Sequence, residues 1–239
     1  MTVRPRPRYI SSVRSLLSLV LAGVLAGPVA AFAAQPTAVV ELFTSQGCSS
    51  CPPANENLTR LIASRHDVLA LSFGVTYWDQ LGWKDTFASP VYTDRQWRYA
   101  RTLGHSNVFT PQVVVNGRAD GVGAGAGEIE ALVGRTPRLA GPEIRISSDA
   151  VSIAAAARPD AETDVWLVRY EPGVVAVPVR RGENTGRTLP HAHVVRALVR
   201  LGQWDGRALR LPLPPAQGAL ATAVIVQSAK GQILSAATL

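Results

Sequence analysis

Apolar residues follow two rhythms along this chain, and the change between them falls near residue 140. In the first stretch, residues 39–43 and 68–73 are short, nearly unbroken apolar runs, the pattern of strands covered on both faces. Between them Ala54, Leu58, Leu61 and Ile62 recur at one-face helical spacing over residues 52–65. The two prolines that open this helix are tolerated, because first-turn N–H groups need no intrahelical partner. A second helix is predicted over residues 89–103, stopped by Gly104, and then a strand over 112–115. Asn116-Gly117 signals a tight hairpin turn into residues 118–122, and a last helix begins over 127–134. The predicted order is β-α-β-α-β-β-α. Beyond Pro137 and Gly141-Pro142, which read as a linker, the rhythm shortens to eight strands: 143–147, 150–155, 164–170, 174–180, 193–201, 208–213, 221–227 and 232–236. Residues 194–201 also fit a helix. So many short strands in under a hundred residues point to a sandwich-like all-β module. The predicted organisation is therefore a leader over 1–33, an α/β domain over 34–138 and a β-rich domain over 139–239.

The leader is read from its own pattern. Arg4, Arg6, Arg8 and Arg14 precede an apolar stretch over residues 16–29, and Ala31-Phe32-Ala33 fits a small-x-small cleavage site. The stretch is too short for a spanning helix, and no cysteine follows it to carry a lipid. Secretion or periplasmic export, with no membrane anchor after cleavage, is the expectation. Removal of residues 1–33 takes four arginines and no acids, so the formal charge falls from +7 to 7 − 4 = +3. No basic run is interleaved with aromatics, so the composition makes no case for nucleic acid.

The chemistry concentrates at Cys48-Ser-Ser-Cys51-Pro52. These are the only two cysteines of the 239-residue chain, placed where a predicted strand hands over to a predicted helix. A thiolate at a helix N-terminus meets the positive end of the helix dipole and free N–H groups, and a second cysteine one turn on can resolve a mixed disulfide. A structural staple gains little here, since closing a four-residue loop contributes roughly 2 kcal/mol against about 5 for a hundred-residue loop. Zinc wants four ligands, and none of the four histidines lies near the motif in sequence. His191 and His193 alternate, which on a strand puts both on one side, a geometry open to copper or zinc. The glycine-punctuated stretch Arg180-Arg-Gly-Glu-Asn-Thr-Gly-Arg187 reads either as an anion-binding loop or as a solvated hairpin turn.

The element order with Cys-x-x-Cys opening the first helix resembles the thioredoxin fold. Thr110-Pro111, directly before the third strand, matches the residue–cis-proline element that such proteins set against their disulfide. Glu41-Leu-Phe-Thr-Ser-Gln-Gly-Cys-Ser-Ser-Cys-Pro-Pro53 resembles the signature of domain-of-unknown-function family 1223, bacterial secreted thioredoxin-like proteins. The likeness continues through Tyr77-Trp-Asp-Gln-Leu-Gly-Trp-Lys-Asp85, Thr110-Pro-Gln-Val-Val-Val-Asn-Gly117 and the 181–187 stretch. Thr76 stands where an acidic residue is expected. The resemblance implies an α/β thioredoxin-like domain, here followed by the all-β module. It also implies a site in which Cys48 attacks, Cys51 resolves and the backbone at Thr110 and Pro111 docks an extended substrate. Glu41 is a candidate buried acid for the Cys51 proton, although it lies seven residues before the first cysteine where thioredoxins have six. Tyr77, Trp78 and Trp83 form a candidate substrate-binding rim, with plain coverage of the sheet as the alternative.

The function these readings favour is a secreted thiol–disulfide oxidoreductase without cofactor or metal, acting on protein thiols or disulfides or on a redox partner protein. Its assignment as an enzyme stays open. Two other classes remain: a binding or assembly protein with a structural Cys48–Cys51 disulfide, and a copper-handling protein.

Overall fold

The computed structural model describes residues 1–4 and 34–239. The predicted leader and its cleavage site therefore lie, from residue 5 onward, outside the described residues. Residues 34–239 belong to one compact unit, and no helix among the described residues is long and apolar enough to cross a membrane.

The first half builds one sheet. Strand β1 (Ala38–Thr44) is buried along its whole length and runs parallel to β2 (Val68–Gly74). On its other side it pairs antiparallel with β3 (Gln112–Val115), which pairs in turn with β4 (Ala119–Gly121). The α-helices among the described residues are α1 (Pro52–Ser64), α2 (Pro90–Leu103) and α3 (Glu128–Arg135). Alternation along β1 sorts its side chains between two cores. Val40 and Leu42 meet Ala54, Leu58 and Leu61 of α1 and Ile129 and Leu132 of α3. Val39 and Phe43 face the other way, towards Tyr92 and Tyr99 of α2. Asn116 and Gly117 both take positive φ, 52° and 61°, as a two-residue hairpin of primed type requires. At Gly117 a Cβ would stand 1.9 Å from the Gly231 carbonyl oxygen, so the turn is also a contact point with the far end of the chain.

The second half contributes nine strands: β5 (Ile144–Ile146), β6 (Ala150–Ile153), β7 (Thr163–Tyr170), β8 (Val174–Pro178), β9 (Thr188–Ala192), β10 (Val195–Gln203), β11 (Leu209–Pro212), β12 (Ala221–Ser228) and β13 (Ile233–Thr238). They form an antiparallel sheet in the order β10-β7-β12-β13, a three-stranded sheet β11-β6-β5 and a β8-β9 hairpin. Trp166, Val168 and Tyr170 of β7 join the core that holds Phe43 and α2. Val165 and Leu167, one residue out of phase, face Val151 and Ile153 of the three-stranded sheet.

The fold class expected from the sequence, an α/β thioredoxin-like domain followed by an all-β sandwich-like module, is corrected by this arrangement. Among the described residues the molecule is mostly β, with thirteen strands in four sheets against three α-helices. The physical reason lies in the Val39–Phe43 face of the first sheet. A sheet closed by helices on both faces would define an α/β class. Here α2 shares that face with strands from the second half, and residues from both halves fill a single core. Residues over β10 form the strand expected of 193–201, without the helical alternative, and β9 is a strand that the periodicity did not signal.

Candidate thiol–disulfide site

The chain leaves β1 at Thr44 and enters α1 at Pro52, and the seven residues between carry the cysteines. Cys48 and Cys51 form a disulfide with Cα atoms 5.4 Å apart, and neither residue has exposed surface. Cys51 is the N-cap of α1, and its carbonyl accepts from the N–H groups of Ala54 and Asn55. The free amides expected at this helix start are otherwise occupied. Pro52 and Pro53 have no N–H to give, the Cys51 N–H donates to the Cys48 carbonyl at 3.3 Å, and the Ser49 N–H donates to Glu183 Oε2 at 3.0 Å.

Side-chain hydroxyls take the place of those amides. Thr110 Oγ1 donates to Cys48 Sγ at 3.3 Å, and Ser50 Oγ lies 3.3 Å from the same sulfur. The Thr110 hydroxyl is itself fixed, because the Trp78 indole N–H donates to it at 2.7 Å. With that lone pair occupied, the threonine proton points at sulfur. The Thr110–Pro111 bond is cis, and the Thr110 carbonyl accepts from Ser50 Oγ at 3.4 Å. The structure thus gathers Cys48, Cys51, Thr110, Pro111 and Trp78 at one place.

Trp83 and Tyr77 stand one layer out, both half-buried. The Trp83 indole donates to Gln46 Oε1 at 2.9 Å, and the Gln46 backbone N–H donates to Asp85 Oδ2 at 2.7 Å. Burial pushes the Asp85 carboxyl above its ordinary range, against the N–H groups of Gln46 and Phe87 that donate to it. Tyr77 donates to Gln96 Oε1 at 3.2 Å, and burial raises its hydroxyl to about 12. Trp83 and Asp85 tie the aromatic segment to the cysteine loop, and Tyr77 ties it to α2.

Three residues of the 180–187 stretch, which the sequence offered as an anion-binding loop or a solvated turn without naming any of them for this site, complete it. Asn184, fully buried, donates through Nδ2 to the carbonyls of Gln46 at 3.0 Å and Cys48 at 2.9 Å. Arg187 holds the amide oxygen of Asn184 at 2.9 Å. Glu183, next to it, holds the Ser49 N–H, and this contact draws its carboxyl below the ordinary range. The polar 180–187 stretch is therefore a clamp on the cysteine loop. The signal available was its place in the family-like motif; nothing in its local pattern named a target 134 to 138 residues away.

Glu41 stands elsewhere. It shares the β1 face of Val39 and Phe43, whereas α1 packs on the face of Val40 and Leu42. Its carboxylate accepts from Arg95 Nε at 2.8 Å and from the Tyr99 hydroxyl, and Arg95 also reaches Gln227 Oε1 at 2.8 Å. That is a buried ion pair joining β1, α2 and β12, and the hydrogen bonds of this carboxylate go to Arg95 and Tyr99. His191 and His193 pack on different rings, Phe87 and Tyr170. Among the described residues no group of three or more His, Cys, Asp or Glu side chains is placed to hold a metal ion.

Fold and site together define a mostly β protein with a buried Cys-x-x-Cys disulfide at a strand-to-helix junction, clamped by a distant loop. The chain belongs to the family of proteins of unknown function designated DUF1223, whose pattern matches residues 39–227. A comparison with curated proteins finds no match. Among solved structures, protein AGR_C_4864 from Agrobacterium tumefaciens is 32% identical, with a TM-score of 0.69 over 85% of this chain and 94% of that one. HBP35 of Porphyromonas gingivalis is 14% identical, with a TM-score of 0.56 over 86% of this chain and 75% of that one, and speaks for the fold alone. Both likenesses extend into the β-rich half.

Proposed function

We propose that this protein is an exported thiol–disulfide oxidoreductase in which Cys48 attacks and Cys51 resolves. The observation that carries the reading is the Trp78–Thr110–Cys48 chain of donors. A hydroxyl proton aimed at sulfur stabilises a thiolate, a feature that a purely structural cross-link does not need. In the reducing direction, the Cys48 thiolate attacks one sulfur of a substrate disulfide, forming a mixed disulfide and expelling the other substrate sulfur as thiolate. Cys51, deprotonated, then attacks Cys48 Sγ, which regenerates the Cys48–Cys51 bond and releases the second substrate thiolate. Two electrons pass to the substrate, and the reverse sequence oxidises a dithiol. Trp78, with Trp83 and Tyr77 beside it, supplies the aromatic surface against which a protein substrate rests. The arginine-then-apolar pattern of residues 4–29 supports export to an oxidising compartment.

The burial of both cysteines favours one other reading, a structural disulfide in a binding protein. Glutathione titration with alkylation and mass readout separates the two. A midpoint between roughly −120 and −270 mV supports exchange chemistry, and a pair still oxidised below roughly −300 mV refutes it.

A further inference from the structure

A second site lies in the β-rich half and shares no residue with the disulfide site. Between β7, β10 and the loop over residues 213–220 runs a groove of about 610 Å³, a size usual for small-molecule pockets. Its apolar wall includes Leu167, Ala197, Val199 and Leu220. Leu167, itself buried, also belongs to the core between the two β-rich sheets. Val199 is left 44% exposed beside it.

Arg169 gives this groove its chemistry. It is only 7% exposed, and its guanidinium donates to Thr222 Oγ1 and to the Pro214 carbonyl. Among the described residues it has no carboxylate partner. A guanidinium carries five N–H donors, so three remain for a ligand. The other charged residues of the groove, Arg196 and Glu171, pair with each other at 3.7 Å. Two arginines against one glutamate leave one net positive charge in a largely apolar cleft. A buried cation without a counter-charge is costly, and an anion would remove that cost.

We propose that this groove binds an amphipathic monoanion, with its carboxylate on the Arg169 guanidinium and a short alkyl or aryl body along Leu167, Ala197, Val199 and Leu220. The charge count selects a single negative charge, and the apolar wall selects a ligand with a hydrocarbon portion over a bare inorganic anion.

Isothermal titration of the purified protein with octanoate tests the assignment. One site per chain is expected, and Arg169→Met should weaken binding by about tenfold or more. Leu220→Trp, which narrows the groove and leaves Arg169 in place, should also weaken it, and it decides the matter if Arg169→Met does not fold. Octyltrimethylammonium should not bind. Unchanged octanoate affinity in a folded Arg169→Met protein, equal affinity for the cationic amphiphile, absence of octanoate binding, or binding to anionic vesicles in place of free octanoate would each overturn the proposal.

Discussion

Replacement of Asn184 by alanine is expected to make the Cys48–Cys51 disulfide easier to reach. Cys48 has no exposed surface, so a reductant meets its sulfur only after part of the site moves. Asn184 pins that site by donating to the carbonyls of Gln46 and Cys48. Without its amide, the Cys48 carbonyl keeps the Cys51 N–H as partner. The Gln46 carbonyl, whose partner among the described residues is Asn184, keeps none. One buried carbonyl left unmet costs about 1–3 kcal/mol, and that cost falls on the clamped state alone, since water satisfies the same carbonyl once the clamp has lifted. If reduction passes through the lifted state, Asn184→Ala should be reduced by dithiothreitol about fivefold to about a hundredfold faster. The rate is read under pseudo-first-order conditions by acid quenching, alkylation and mass spectrometry. A variant that loses thermal stability yet is reduced at the wild-type rate would refute the reasoning, because it would show that the clamp holds the loop without governing access to sulfur.

Other expectations follow from the same geometry. Thr110→Val should slow alkylation of reduced Cys48 at pH 7 by about tenfold, the worth of one hydrogen bond to a charged group; Thr110→Ser should restore the rate, and an unchanged Thr110→Val rate would remove the threonine from the chemistry. Arg95→Met should cost about 3–5 kcal/mol in urea unfolding, because it leaves Glu41 buried without its cation. The double variant Glu41→Gln, Arg95→Met should recover much of that loss, and equal instability of the two proteins would deny the coupling. Burial lowers His191 to about 4 from 6.5. The unfolded chain therefore binds the extra proton first, so the contribution is intact above about pH 6.5 and is lost as pH falls towards 4, by about 3 kcal/mol in all. His191→Phe should flatten the stability profile across that interval, and a slope equal to wild type would place the titration on another group.

Most elements were legible in the sequence because their patterns were locally complete. The apolar runs of β1 and β2, the one-face spacing of α1 and the Asn116-Gly117 turn each needed only neighbouring residues. The hairpin strand β9 escaped because Thr188-Leu-Pro-His-Ala192 has a proline in its middle, which argues against a strand except at an edge. The fold class was misjudged for a different reason. A strand buried on both faces shows no alternation, so β1 does not announce that one of its faces awaits strands more than a hundred residues later. The same blankness hid the side on which Glu41 projects. Cys48, Cys51, Thr110 and Trp78 could be named because cysteine pairs and a proline before a strand are rare and local. Asn184 could not, since an asparagine in a glycine-punctuated loop looks the same whether it meets water or a buried carbonyl.

The pair of prolines that opens α1 has a consequence for how the protein can diversify. Backbone amides are common to every amino acid but proline, so a sulfur tuned by amides keeps its character through most substitutions. Here Pro52 and Pro53 withhold theirs, and the groups addressing Cys48 are the hydroxyls of Thr110 and Ser50. Each is removable by a single codon change that leaves helix and sheet intact. A change at position 50 or 110 therefore alters what surrounds this sulfur without a change of scaffold.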